Sequence, residues 1–201
     1  MADWIKHPLQ LEGNKVLLLP LSEAYFDELI NASRDEKIWT YMPVKGWDKK
    51  LLLMALKEAM IKRDTKEQYP FIIINKQNGR VMGSTRLLRL NEEHLNLEIG
   101  YTWYLPEYWG KGYNEECKYL LLNYCFEVLK TVRVQIITSD KNLRSRKAIE
   151  KIGGQFEGVL RNMVIRNGEK RNVAFYSIID EEWNKVKLML PKMYEEKYAH
   201  L

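Results

Sequence analysis

The sequence of 201 residues predicts a mixed α/β fold in a single domain. Three patterns predict it: strand-like runs joined by hairpin turns, a strand that leads into a glycine-bearing helix start, and a buried strand after that helix. A strand that follows another through a helix pairs with it in parallel, by a right-handed crossover. We therefore expect a mostly antiparallel twisted sheet with one parallel pair and flanking helices.

The first part of the chain alternates between strand-like and helix-like segments. Ser22 is a suitable N-cap for a helix over residues 24–32. Asp48 is a suitable N-cap for an amphipathic helix that runs to Lys62. Asn78-Gly79 is a hairpin turn sequence. The predicted strands of this part cover residues 15–21, 69–75, 80–90 and 94–104.

The second part predicts the crossover, a last hairpin and a helical tail over residues 181–201, with the domain core over 13–183. The crossover helix begins after Lys111 and carries one apolar stripe, so we expect its other face to meet solvent. Asp140 or Asn142 caps a short helix that closes at Gly153-Gly154. The stripe is Cys117, Leu120, Leu121, Tyr124 and Val128; the later strands cover 132–138, 156–165 and 171–179, with a turn at Asn167-Gly168.

Composition and charge limit the function classes. The longest apolar runs are too short to span a bilayer, and the N-terminus lacks a secretory signal pattern, so we expect a cytoplasmic protein with no membrane partner. The net charge of +5 and the pI near 9.0 admit a nucleic-acid partner. Basic and acidic residues are interspersed, however, which argues against nucleic-acid binding. Cys117 and Cys125 are expected in the core, and the Cys and His spacing predicts no metal site.

Residues 98–116 carry the strongest functional signal. A β-branched and aromatic run ends before Pro106, and Gly110 and Gly112 then flank Lys111 at a helix start. Glycine lets the backbone approach a ligand closely, and the free N–H groups of a first helical turn favour an anion such as pyrophosphate. Taken alone, such a turn is as often purely structural.

A second motif follows the crossover strand and adds specificity. It contains Asn142, Ser145, Gly153 and then Phe156-Glu157-Gly158. With the glycine turn before it, this order resembles the GCN5-related N-acetyltransferases, and within them the RimJ/RimL branch, whose known members acetylate N-terminal amines of ribosomal proteins. The resemblance implies that family's fold, in which the parallel strands splay apart around acetyl-coenzyme A.

The resemblance also implies which residues bind acetyl-coenzyme A. The family's pyrophosphate turn corresponds to residues 109–114, where Trp109 replaces an Arg or Gln and Asn114 replaces a small residue. Main-chain donors hold such an anion, so we expect binding to survive these changes. The implied binding residues are Trp103, Tyr104, Leu105, Trp109, Gly110, Lys111, Gly112, Tyr113, Asn114, Asn142, Ser145 and Lys147. Asn142 also has a purely structural interpretation, as a helix cap.

Acetyl transfer to an amine requires a neutral nucleophile, which a general base can supply. Strict alternation over 94–104 places Glu98 with Thr102 and Tyr104 on one face and Trp103 on the other. Some relatives place a base near this position, so Glu98 is the candidate base. The alternative is a structural hydrogen bond.

Two residues that relatives use are replaced here. A Glu that some of them carry in the last hairpin corresponds to Val164, and the Tyr that many use as a proton donor corresponds to Ile149. Ser145 is the candidate donor in its place, with Tyr176 more distant. A thiol whose pKa is near 8.5 also leaves without full proton transfer.

The acceptor site implied by the resemblance lies between the loop of the first two helices and the last hairpin. Its residues are Trp39, Tyr41, Trp47, Arg161 and Arg166. We predict acetyl transfer to a primary amine by direct attack in a ternary complex, by a monomer or homodimer. The acceptor is a protein N-terminus or a small-molecule amine such as an amino acid, polyamine or aminoglycoside. A non-catalytic module that binds acyl-coenzyme A is the alternative of another class.

Overall fold

The structure, a computed structural model, describes residues 4–166 and 168–201, and its strands form one eight-stranded sheet. The strands are β1 (Leu11–Glu12), β2 (Val16–Pro20), β3 (Gln68–Asn75), β4 (Val81–Asn91), β5 (Asn96–Tyr104), β6 (Arg133–Ser139), β7 (Gln155–Arg166) and β8 (Glu169–Ile179). Their order across the sheet is β1-β2-β3-β4-β5-β6-β8-β7. Only β5 and β6 pair in parallel. The predicted fold class is confirmed.

Five α-helices flank the sheet: α1 (Phe26–Ala32), α2 (Lys49–Asp64), α3 (Tyr113–Asn123), α4 (Leu143–Lys151) and α5 (Asp180–Tyr198). Asp48 caps α2 as predicted, since its carboxylate accepts bonds from the N–H groups of Lys50 and Leu51. The capping prediction for Ser22 is wrong: its side chain makes no capping bond, and its carbonyl accepts from Tyr25 N to form a tight turn before α1. None of the helices in the described residues is long and apolar enough to cross a membrane.

The sheet carries a hydrophobic core on each face. In β3, Phe71 and Ile73 belong to one core and Ile72 and Ile74 to the other, as a pleated strand buried on both faces requires. Helices α3 and α5 cover the first core, and α1 and α2 cover the second. Of the predicted Asn167-Gly168 turn, Asn167 lies outside the described residues, and Gly168 has φ 77°.

The prediction that one face of α3 meets solvent is wrong. Glu115, Glu116 and Lys118 are all buried: α5 and the segment before β2 pack against the two glutamates, and Lys118 contacts β5. The carboxylate of Glu116 accepts hydrogen bonds from the Tyr198 hydroxyl and from the N–H groups of Asn14 and Lys15. The helical tail that the sequence predicts is thus a structural partner of the crossover helix.

The apolar stripe of α3 ends earlier than predicted. Cys117, Leu121 and Tyr124 are buried, but Val128 is 60% exposed. A π-helical turn over Tyr124–Val128 follows α3. Such a turn spaces its hydrogen bonds by five residues, so the position four beyond Tyr124 no longer falls on the core face.

Strict alternation fails in β5. Ser84 of β4 pairs with Trp103, whereas Arg86 pairs with Gly100, so β5 has one extra residue between these pairs. Tyr101 lies in this bulge with φ 49°. A bulge reverses which face the following side chains occupy. Tyr104 therefore joins the core under α3, and Trp103 the opposite core, contrary to the predicted faces.

Candidate active site

The central feature of the site is a cleft between the two parallel strands. Their pairing covers only Asn96 to Glu98 of β5 and Arg133 to Gln135 of β6, although both strands continue beyond it. A cavity of about 1250 Å³ opens where the strands part. Its walls include Glu98, Trp103, Tyr104, Trp109, Gly110, Asn114, Asn142, Ser145 and Ile149.

The glycine turn presents main-chain donors at one end of this cavity. Gly110 has φ 77°, and a Cβ added there would meet no atom within 4 Å, so the backbone is open to a ligand. Gly112 is the N-cap of α3 with φ 93°, and no side chain caps the helix. A helix start with uncapped N–H groups beside an open turn can bind an anion such as a diphosphate.

The two glycines have different reasons to be glycine. A Cβ at Gly112 would lie 3.1 Å from Tyr198 Cε1 and 3.2 Å from Tyr194 O. The close approach that the sequence predicts at Gly112 is therefore made by α5. Gly110 is the glycine that lines the cavity, whereas Leu105, Lys111, Gly112, Tyr113 and Lys147 of the predicted set are not among its wall residues.

Trp109, which stands where relatives carry an Arg or Gln, is fixed on both sides. Its Nε1 donates to Tyr104 O at 3.0 Å, and the Arg144 guanidinium lies 3.7 Å from the centroid of its ring. Arg144 also lines the cavity. The sequence did not assign Arg144 to the site, because its stacking on Trp109 depends on how α4 meets the glycine turn.

Asn142 and Ser145 lie together at the start of α4. Asn142 Oδ1 accepts a bond from Ser145 N at 3.1 Å, so the structural interpretation of Asn142 as a cap is correct, and both residues also line the cavity. Ile149 lies one turn further along the same wall. Tyr176, the more distant candidate donor, is not a wall residue of the cavity; its hydroxyl accepts from Arg146 Nε at 2.8 Å and donates to Glu150 Oε1 at 3.0 Å.

Glu98 is the acidic group at the point where the strands part. It is 4% exposed, and its Oε2 accepts from Gln135 Nε2 at 3.0 Å and forms an ion pair with Arg89 Nε at 3.1 Å. Burial raises the pKa of this carboxyl above its usual value, while Gln135 and Arg89 oppose the rise. Both of these partners engage Oε2, and Oε1 has no hydrogen-bond partner among the described residues.

The structure brings together the two predicted walls of the acceptor site. Arg166 of β7 donates a hydrogen bond to Tyr41 O, and both residues line the cavity. Trp47 lines it as well, and Trp39 does so from a buried position, with its ring 5.2 Å from that of Trp103. Arg161 is exposed and is not a wall residue. Val164 lines the cavity as an apolar residue.

Sequence reasoning missed a cationic residue inside the cavity. Lys118 of α3 is 5% exposed and lines the wall, and its Nζ donates to Thr102 Oγ1 at 2.7 Å. Lys118 was missed because the sequence predicts that this face of α3 meets solvent, where a lysine needs no functional explanation. Thr102 lies beyond the last paired residue of β5, Glu98, so the ammonium is held by the part of β5 that no longer pairs with β6.

A comparison with protein-family models decides the family. The model described as the acetyltransferase (GNAT) domain matches residues 15–155, which contain the cleft, the glycine turn and α4. The chain belongs to this GNAT acetyltransferase family. The family's members are acetyltransferases, and GNAT acetyltransferases use acetyl-coenzyme A as donor.

Similar proteins agree with this assignment. "Putative ribosomal N-acetyltransferase YdaF" of Bacillus subtilis (strain 168) is 34% identical over 53% of this chain and 57% of its own length. Spermidine N(1)-acetyltransferase of Escherichia coli (strain K12) is 27% identical over 53% of this chain and 56% of its own length. The chain thus spans little more than half of these two relatives. The crystal structure of a GCN5-related N-acetyltransferase from Brucella melitensis superposes with a TM-score of 0.84 and 27% identity, over 93% of this chain and 86% of that one.

The predicted family membership is thus confirmed, and the similarity to YdaF agrees with the RimJ/RimL-like branch. The roles of the individual GNAT site residues stay predictions, as does the division of the chain into one domain.

Proposed function

We propose that this GNAT enzyme transfers acetyl from acetyl-coenzyme A to the α-amine of a protein N-terminus, with Glu98 as general base. The observation that carries the proposal is the position of Glu98, which is buried where β5 and β6 part and lines the same cavity as Tyr41, Trp47 and Arg166. The glycine turn holds the diphosphate, and the backbone after the bulge lies along the pantetheine arm. The two substrates then meet at Glu98.

The basicity of the acceptor favours an α-amine. Deprotonating a lysine-like amine at pH 7 costs about 4 to 5 kcal/mol, whereas an α-amine with a pKa near 8 costs about 1 to 1.5 kcal/mol. A single carboxylate with a pKa raised by burial is a sufficient base for the second case. Direct attack on the thioester follows, and the chain needs no covalent intermediate.

The charge of the cavity wall favours an acceptor with acidic groups. Its acidic residues in the described chain are Glu36, Glu67 and Glu98, and its basic residues are Lys37, Lys45, Lys62, Arg89, Lys118, Arg144, Arg166 and Arg171. Part of this positive charge serves the phosphates of the donor. Arg166, which donates a hydrogen bond to Tyr41 O, repels a polyamine and attracts an acidic residue near a peptide N-terminus.

The test is release of free thiol from acetyl-coenzyme A with three acceptors: a peptide with an acidic second residue, the same peptide with a neutral one, and spermidine. We expect the highest kcat/KM for the acidic peptide and the lowest for spermidine. Turnover of spermidine above both peptides would contradict the proposed acceptor. Tight binding of acetyl-coenzyme A without turnover of any acceptor would contradict catalysis on these amines and favour a binding module.

Arg166→Ala and Arg161→Ala form a matched pair on β7. Arg166 lines the cavity and Arg161 does not. We expect Arg166→Ala to lower the preference for the acidic over the neutral peptide about 3- to 10-fold, which corresponds to one partly exposed charge contact. Arg161→Ala should leave the preference unchanged. Because a general loss of structure would weaken both peptides equally, the ratio isolates recognition.

A further inference from the structure

The buried ammonium of Lys118 is the feature of the cavity that the proposed function does not use. Its Nζ has one hydrogen-bond partner in the described chain, the neutral hydroxyl Thr102 Oγ1 at 2.7 Å. No carboxylate of residues 4–166 or 168–201 lies within ion-pair distance of it. A buried charge without a counterion is unfavourable, so a ligand anion at this place would be bound strongly.

The neighbours of Lys118 define where that anion would lie. Thr102 is also bonded to Thr85 Oγ1 at 2.8 Å, which fixes the hydroxyl that holds the ammonium. Cys117, the adjacent titratable group on α3, is a buried thiol whose pKa burial raises, so it stays neutral. Along β5, Thr102 lies between Glu98 and Tyr104, and Tyr104 O accepts a hydrogen bond from Trp109 of the glycine turn. A donor whose diphosphate lies at the glycine turn and whose thioester reaches Glu98 would pass Thr102 and Lys118 on the way, with its sulfur on the Lys118 side of Glu98.

We propose that the Lys118 ammonium contacts the coenzyme A sulfur and stabilises the thiolate that leaves during acetyl transfer. The proposal rests on the binding of acetyl-coenzyme A in this cavity, which is part of the proposed function. In this proposal a fixed positive charge stabilises the leaving thiolate. Ile149 and Val164 also line the cavity but are apolar, and the Tyr176 hydroxyl is hydrogen-bonded to Arg146 and Glu150.

The reaction step balances without a separate proton donor. The amine nitrogen forms a bond to the carbonyl carbon and gives one proton to Glu98. The bond between that carbon and sulfur breaks, and the electron pair leaves on sulfur as a thiolate beside the ammonium, which keeps its own proton. Burial lowers the pKa of Lys118 to about 8, so at pH 7 most of this side chain is still protonated.

The experiment measures the pKa of the thiol of bound coenzyme A by its thiolate absorbance, and so needs no acceptor. An adjacent lysine lowers a thiol pKa, and an opposite charge at contact typically does so by about 1 to 3 pH units. We expect the thiol pKa on the native enzyme to lie at least about one pH unit below that on Lys118→Met. Lys192→Met, at an exposed position of α5, removes one charge from the surface and should match the native enzyme.

Lys118→Met is expected to fold, because an apolar residue of similar shape replaces an unpaired buried charge. A second measurement compares coenzyme A with its desulfo analogue above the bound thiol pKa. The native enzyme should bind coenzyme A at least about tenfold more tightly than the analogue, and Lys118→Met should bind the two alike. Equal thiol pKa values on the native enzyme and Lys118→Met would overturn the proposed role of Lys118 but not the proposed cofactor cavity. Failure of coenzyme A to bind the native enzyme would overturn the proposed cofactor cavity as well.

Discussion

Glu98 in the cleft and Glu116 at the junction of α3 and α5 are both buried glutamates, but they differ in how many of their carboxylate oxygens are hydrogen-bonded within the protein. Burial raises the pKa of both carboxyls. Both carboxylate oxygens of Glu116 accept hydrogen bonds, from the backbone N–H groups of Asn14 and Lys15 and from the Tyr198 hydroxyl. Glu98 engages its two partners through Oε2 and faces the cavity. A fully engaged carboxylate ties segments together, whereas a partly engaged one retains an oxygen for chemistry.

Glu98→Gln gives the largest effect that this comparison predicts. We expect kcat/KM to fall about 100- to 1,000-fold at neutral pH, since an amide cannot accept the amine proton. The midpoint of thermal unfolding should change little, because Gln can keep the bond with Gln135. Glu93→Gln, at an exposed turn, is the control and should retain full activity. A loss below about tenfold for Glu98→Gln would assign Glu98 a structural role.

Glu116→Ala tests the opposite end of the comparison. Removing the carboxylate leaves the N–H groups of Asn14 and Lys15 and the Tyr198 hydroxyl without their acceptor. We expect the free energy of unfolding to fall by about 2 to 3 kcal/mol in urea denaturation. The kcat of the folded fraction should stay within about twofold of native, which distinguishes this residue from Glu98. Destabilisation equal to that of Glu93→Ala would contradict the structural role.

Tyr198→Phe removes a single donor from the Glu116 cluster. The phenol donates to Glu116 Oε2, and its ring also packs 5.5 Å from the ring of Tyr113. Because the ring remains, we expect a smaller loss, about 1 to 2 kcal/mol in the free energy of unfolding. The double variant with Glu116→Ala should cost less than the sum of the two single changes. Additive losses would mean that the two groups are not coupled.

Gln135→Leu should produce the smallest of these effects, a shift in the pH dependence of kcat/KM. The Gln135 amide stabilises the charged form of Glu98, so its removal raises the pKa of that carboxyl further. The acid limb of the kcat/KM profile, where activity is lost as pH falls, should then move to higher pH by up to about one pH unit. Gln77→Leu, in the exposed turn between β3 and β4, should leave the limb in place. A limb that moves to lower pH would contradict the assignment of Glu98 as base.

Much of the architecture could be predicted from the chain, because its signals are local. The Asp48 cap, the Asn78-Gly79 turn and the crossover over α3 each follow from a few neighbouring residues, and the structure has all three. The errors occurred where distant segments decide. The bulge at Tyr101 depends on pairing with β4, the burial of Glu116 depends on α5 packing across α3, and Lys118 meets its partner Thr102 on β5.

The candidate site divides in the same way. The glycine turn and the Asn142 to Ser145 helix start are contiguous motifs, so the sequence could indicate a donor site from them. Arg144 stacked on Trp109, and Lys118 bonded to Thr102, join elements that only the folded chain brings together. Arg161 and Arg166 carry the same chemistry on one strand, yet of the two Arg166 lines the cavity and Arg161 does not; Arg161 lies in the irregular stretch of β7 between Leu160 and Val164, which pairing with β8 determines.

The sequence by itself determined most helices and strands, the fold class and the family, because hydrophobic periodicity, helix caps, turns and the two motifs each depend on residues close together in the chain. The tertiary structure decided which charges are buried and what each one meets. Burial and pairing depend on atoms far apart in the chain, and these long-range contacts set the pKa of Glu98, engage Glu116 and leave Lys118 with a single neutral partner.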